Sequence, residues 1–198
     1  GDVAIWVGIA ASNITLEQVI SNGFLPVSAI ASSMTWNDTN AWNIPYALQT
    51  NVDELSLHRV QYSLYSTSGN FISGLPTIKR LTMVQVEAYT AVDNILIAVG
   101  GVECAFIKEC SWSGSVTLNS ATVTSNVSIT IKDSLISATY PGQTGLAILG
   151  PQDHFVNLEL SSSTYFSSYW NGWDIYLGGN ISFTDPLVLH KVSHFDSA

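Results

Sequence analysis

The segment His154-Phe155-Val156-Asn157-Leu158-Glu159-Leu160 decides how this chain is read. His154, Val156, Leu158 and Leu160 fall on one side of a two-residue period, and Phe155, Asn157 and Glu159 on the other. That is a strand with one buried and one wetter face. The pattern recurs where Val127, Ile129 and Ile131 alternate with Ser128, Thr130 and Lys132, and where Val84, Val86 and Ala88 alternate with Met83, Gln85 and Glu87. Leu55 to Tyr65 also alternates, but Leu57 and Val60 stand three apart, a break that reads as a bulge. Turn residues punctuate the chain at Asn22-Gly23, Ser68-Gly69-Asn70, Gly100-Gly101, Pro141-Gly142, Gly150-Pro151, Asn171-Gly172 and Gly178-Gly179.

Many short strands between such turns predict an all-β fold, a β-sandwich or jelly-roll-like double sheet. At most one short helix is expected, from about Thr15 to Ser21. There Thr15 and Gln18 form a capping box and Asn22-Gly23 a stop. No internal repeat and no Pro/Ser-rich linker is evident. Residues 15–198 therefore read as a single domain behind an N-terminal strand, 1–14.

That first strand is the most unusual segment. Val3, Ile5, Val7 and Ile9 are β-branched at period two, and Ala4, Trp6, Gly8 and Ala10 between them are also apolar. Such a strand suits burial on both faces. It either completes its own sandwich or is donated to a groove of the next subunit, a form of strand addition that propagates head to tail.

Composition narrows the functional classes. Charged residues are 11% of the 198, against roughly 25% in ordinary soluble domains. Ser, Thr and Asn exceed a quarter of the chain and stand in for the missing charge. Six Lys and Arg against fifteen Asp and Glu, a formal charge of −9, argue against nucleic acid as a partner. No apolar run is long enough to span a bilayer as a helix. The Gly1-Asp2 start reads as that of a processed chain.

Four glycosylation sequons occur, at Asn13, Asn37, Asn126 and Asn180. Cys104 and Cys110 read as a small-loop disulfide or as two free buried thiols, and their spacing suits neither a zinc site nor a redox pair. Together these features predict an extracellular glycoprotein carrying N-linked glycans.

The apolar first strand, the sequons and the charge-poor Ser/Thr-rich body resemble the thread-type filament subunits of thermoacidophilic archaea. The resemblance implies a secreted, pilus-like homopolymer of identical subunits, serving adhesion and biofilm formation. By position it implies Val3, Ile5, Trp6, Val7 and Ile9 as the donor strand and Asn13, Asn37, Asn126 and Asn180 as glycan sites. Near pH 2–3 carboxylates are protonated, so a surface of hydroxyls and amides would suit an acidic exterior.

Enzymatic chemistry is not expected. A glycoside hydrolase, the alternative reading, needs two carboxylates facing across a cleft. Glu87, Glu103, Glu109 and Glu159 are available, and strand-surface glutamates are the simpler account. No Gly-X-Ser-X-Gly elbow and no nucleotide fingerprint occurs, so no cofactor is expected. His190 and His194 in a strand are too far apart to share a metal ion. Tyr165, Phe166, Tyr169, Trp170, Trp173 and Tyr176 form an aromatic stretch that is either packed or available to stack on sugars, as in a carbohydrate-binding module. A coat protein of viral or S-layer type is a further reading.

Overall fold

Each alternating segment pairs with the segment one circuit of the chain away, and always in parallel. The computed structural model describes residues 11–22, 31–42, 51–64, 71–72, 76–90, 95–138, 144–167, 175–179 and 181. Three circuits come first: β1 (Ala11–Glu17) and β2 (Ile20–Asn22), β3 (Ala31–Asn37) and β4 (Asn40–Trp42), β5 (Val52–His58) and β6 (Gln61–Leu64). Four circuits with a described third strand follow. They are β7 (Ile78–Val84), β8 (Glu87–Thr90) and β9 (Ile95–Gly100); then β10 (Cys104–Lys108), β11 (Ser111–Ser113) and β12 (Ser115–Asn119). The last two are β13 (Val127–Lys132), β14 (Leu135–Ala138) and β15 (Leu146–Leu149), then β16 (Val156–Ser161), β17 (Thr164–Ser167) and β18 (Ile175–Gly178).

Strands at the same place in successive circuits stack into three sheets. The first runs β1-β3-β5-β7-β10-β13-β16, the second β2-β4-β6-β8-β11-β14-β17, and the third β9-β12-β15-β18. Bridges from Ile72 to Ile97 and from Thr77 to Gly100 carry the third side back one circuit. The result is a three-sided parallel β-solenoid, built from units that each contact only their neighbours.

This overturns the expected β-sandwich or jelly roll. Those folds are antiparallel, and every strand pair among the described residues is parallel. Parallel sheets are usually covered on both faces and lose their alternation. Here one face of each sheet is core and the other solvent, so the two-residue period persists and mimics an antiparallel strand. The helix expected over Thr15 to Ser21 is also corrected: β1 and β2 occupy that stretch. Six residues of β1 pair with β3, a tertiary gain that outweighs a local capping signal.

The corner between the first two sheets repeats with one backbone device. Gln18, Asp38, Arg59, Gln85, Glu109, Asp133 and Ser162 all take positive φ, between 50° and 55°. A single left-handed residue turns the chain without breaking the ladder. The Asp38 N–H donates to His58 O at 3.0 Å, Gln85 N–H to Lys108 O at 3.0 Å, and Asp133 N–H to Ser161 O at 3.1 Å. The residue after each corner points inward again. The three-residue step from Leu57 to Val60 is therefore this corner, with Arg59 at φ 51°, not a bulge within one strand.

The core is a set of stacked rows. Trp36, Leu57, Met83, Ile107, Ile131 and Leu160 align along the axis inside the first sheet, all nearly inaccessible. Tyr62, Ala88, Trp112 and Ile136 do the same inside the second. Tyr62 stacks on Phe71 with ring centroids 4.8 Å apart. Burial on this scale, at roughly 25 cal/mol per Å² of apolar surface, is the main force holding circuit to circuit.

Candidate functional site: a polar furrow along one corner

The same corners that close the core also build a furrow on the surface. Two rows of outward side chains run along the axis there. Asp38, Arg59, Gln85 and Glu109 form the corner row. Asn40, Gln61, Glu87 and Ser111 form the first row of the second sheet, in register through β4, β6, β8 and β11. Between them lies a furrow of about 570 Å³ lined by these eight residues. Parallel pairing repeats the rows at the strand spacing, about 4.8 Å.

The furrow's carboxylates all accept hydrogen bonds or ion pairs from neighbouring side chains. Arg59 Nε and Nη2 donate to the two Asp38 carboxylate oxygens at 2.6 and 2.8 Å. Gln85 Nε2 donates to Glu109 Oε2 at 2.8 Å, and Gln61 Nε2 to Glu87 Oε2 at 3.2 Å. Lys108 Nζ lies 2.9 Å from Glu109 Oε1. Hydrogen bonding from Arg59 holds the Asp38 carboxyl below the usual carboxylate range. Lys108 first, then Gln85, do the same for Glu109. A general acid needs the opposite shift. These two carboxylates are set to stay ionised and to accept hydrogen bonds.

A second depression of about 530 Å³ continues onto the face of the second sheet and shares Gln61, Glu87 and Ser111 with the first. Its outer row holds Ser63, Tyr89, Ser113 and Ser137. Tyr89 is 45% exposed. The site thus combines hydroxyls, amides and carboxylates with an accessible aromatic ring.

The sites expected from sequence are dispersed by comparison. Val3, Ile5, Trp6, Val7, Ile9 and Asn180 lie outside the described residues, as do Tyr169, Trp170, Trp173, His190 and His194. Asn13 is exposed on β1, where its Oδ1 accepts from Ser33 Oγ at 2.6 Å. Asn37 ends β3 beside the furrow and is half-buried. Asn126 is exposed, and its Oδ1 accepts from Phe155 N–H at 3.2 Å. Of the candidate carboxylates, Glu87 and Glu109 come together in the furrow. Glu159 pairs with Lys132 at 2.8 Å on another face.

The disulfide expectation is corrected: both cysteines are free. Cys104 opens β10 on the solvent face, whereas Cys110 is buried behind the corner. The four steps from Cys104 to Lys108 alone extend about 13 Å at ~3.3 Å per residue. A disulfide requires Cα atoms roughly 4.4–6.8 Å apart. Burial pushes the Cys110 thiol up to about 11.

Asp38, Arg59, Gln61 and Gln85 carried no signal as a site in the sequence. The signature of Asp38, Arg59 and Gln85 is the corner itself, an inward pair three residues apart enclosing a polar residue. It recurs at Trp36/Thr39, Leu57/Val60, Met83/Val86 and Ile107/Cys110. Comparison with family models, curated proteins and solved structures finds no match for this chain.

Proposed function

We propose that this chain is a non-catalytic, extracellular β-solenoid that binds an extended, uncharged glycan along the corner furrow. The observation that carries the reading is the furrow's composition: eight polar side chains in two axial rows, continuous with exposed Tyr89. A repeating polymer laid along the axis meets similar donors and acceptors at each circuit. Its sugar hydroxyls suit the amides and carboxylates, and a pyranose face suits the ring of Tyr89. A polyanionic chain is disfavoured, because the furrow's one guanidinium, Arg59, is already engaged by Asp38.

The test is binding of the purified chain to a panel of neutral and acidic polysaccharides, followed by titration of Tyr89→Ala and Glu87→Ala. Each substitution is expected to weaken binding to a neutral glycan about ten-fold. Thr130→Ala, on the solvent face of the first sheet, serves as the control. Unchanged affinity in both furrow variants, or no binding to any neutral glycan, sinks the proposal.

A second reading, a filament subunit serving adhesion, is favoured by the solenoid's ends. Among the described residues, β1 and β16 each have a neighbour on one side only. A strand from a second copy would add there in parallel, extending the stack instead of filling a sandwich groove. Electron microscopy of the full chain and of a variant lacking residues 1–10 separates the two. Filaments formed by the first and not by the second support strand exchange. Single particles from both contradict it.

A further inference from the structure

We propose that folding closes the Asn37 sequon to glycosyl transfer and leaves the Asn13 sequon open, so that Asn37 receives a glycan only before its circuit is sealed. The motif Asn-X-Ser/Thr is defined by its hydroxyl, so the hydroxyl must be within reach of the transferring enzyme. In Asn37-Asp38-Thr39 it is not. Thr39 has no accessible surface, and its Oγ1 donates to Asn37 O at 3.2 Å.

The backbone around it is held from both neighbouring circuits. Gln18 N–H donates to Asn37 O at 3.0 Å and Asn40 N–H to Val19 O at 2.8 Å. On the other side Asp38 N–H donates to His58 O at 3.0 Å and Gln61 N–H to Thr39 O at 2.9 Å. Asp38 sits at φ 50° with its carboxylate gripped by Arg59. Exposing Thr39 therefore means opening three circuits together, a sub-global event and not a loop fluctuation.

Asn13-Ile14-Thr15 is the contrast. Asn13 and Thr15 both point to solvent from β1, which among the described residues pairs only with β3. Asn13 Oδ1 is engaged by Ser33 Oγ, and the amide nitrogen is the atom that reacts. With a lipid-diphosphate-linked oligosaccharide as donor, that nitrogen bonds to C1 of the first sugar. The bond from C1 to the diphosphate oxygen breaks, the lipid diphosphate leaves with the electron pair, and one amide proton passes to solvent.

The experiment incubates the folded full chain with an oligosaccharyltransferase and its lipid-linked donor, and maps occupancy by glycopeptide mass spectrometry. Synthetic peptides spanning residues 8–20 and 31–45 are treated in parallel. In the folded chain Asn37 is expected to be modified at least about ten-fold more slowly than Asn13. The two peptides are expected to react at similar rates. Equal modification of Asn37 and Asn13 in the folded chain overturns the proposal. So does refusal of the 31–45 peptide, because the block would then lie in the local sequence and not in the fold.

Discussion

Ser134 shows how a polar side chain is kept inside the wall of the solenoid. Its hydroxyl donates to Lys132 O at 2.7 Å and accepts from Cys110 N–H at 3.2 Å. One circuit on, Ser163 repeats the arrangement, donating to Ser161 O at 2.9 Å and accepting from Ser134 N–H at 3.1 Å. One circuit back, the Cys110 thiol takes the same place and donates to Lys108 O at 3.3 Å. Ser134→Ala strands the buried Cys110 N–H and is expected to lower stability by about 1–3 kcal/mol in urea unfolding. Cys110→Ser keeps a donor in place and is expected to stay within about 1 kcal/mol of the parent. Thiol titration should read one reactive group, Cys104, in the native chain and both after unfolding, because a buried neutral thiol is a poor nucleophile. Gly179 is constrained differently. At φ 81° an added Cβ would lie 2.5 Å from Gly150 O. Gly179→Ala is therefore expected to cost about 1–3 kcal/mol.

At the scale of the strand and its corner, ionic contacts bridge successive circuits. Arg59 pairs with Asp38, Lys79 with Asp53, Arg80 with Glu54 and Lys132 with Glu159. Asp38, Asp53 and Glu109 are held below their ordinary values, chiefly by hydrogen bonds from Arg59, Lys79 and Lys108. A depressed carboxyl stabilises the fold above its unfolded pKa and loses that contribution as pH falls through the folded value. Lys79 and Lys108 are raised by Asp53 and Glu109, so their contribution is full below the ordinary lysine pKa and lost as pH rises through the folded value. The melting temperature is expected to fall below about pH 4. The fall should be shallow because the pairs are solvent-exposed, and shallower still in high salt and in Arg59→Gln. A melting temperature that rises on acidification would contradict this. The scarcity of charge points the same way: few pairs exist for acid to break.

The strands themselves were legible, because alternation at Val127–Lys132 or Val156–Ser161 depends only on which face is wet. Their partners were not legible, since β10 pairs with β7 and β13, each more than twenty residues away, through contacts that leave no local mark. The corner was half legible. Its three-residue step shows at Leu57 and Val60, but recognising a repeat needs the same step at Met83 and Val86 and at Ile107 and Cys110. Irregular circuit lengths and the absence of a shared corner residue hide it. The furrow was less visible again, because Glu87 and Glu109 are joined only by winding the chain.

At the scale of the whole molecule, a solenoid is a one-dimensional stack, and its stability is a sum of circuits and the interfaces between them. Length should therefore be adjustable in units of one circuit and in no other unit. Glu109 and Asp133 occupy equivalent corners, each followed by a buried Cys110 or Ser134. Removing residues 109–132 joins Lys108 to Asp133, so that β10 leads through an intact corner into β14. β10 then faces β7 on one side and β16 on the other, with Ala105 and Ile107 meeting Leu158 and Leu160 in the row positions that Ile129 and Ile131 vacate. This variant is expected to keep β-type circular dichroism and a cooperative transition at a lower midpoint, since one interface is lost. Removing residues 109–120 deletes half a circuit, places strands of one side against another, and reverses which side chains face inward. It is expected to yield no cooperative unfolding. If both deletions unfold alike, the circuits are not interchangeable units and the stack does not behave as a solenoid.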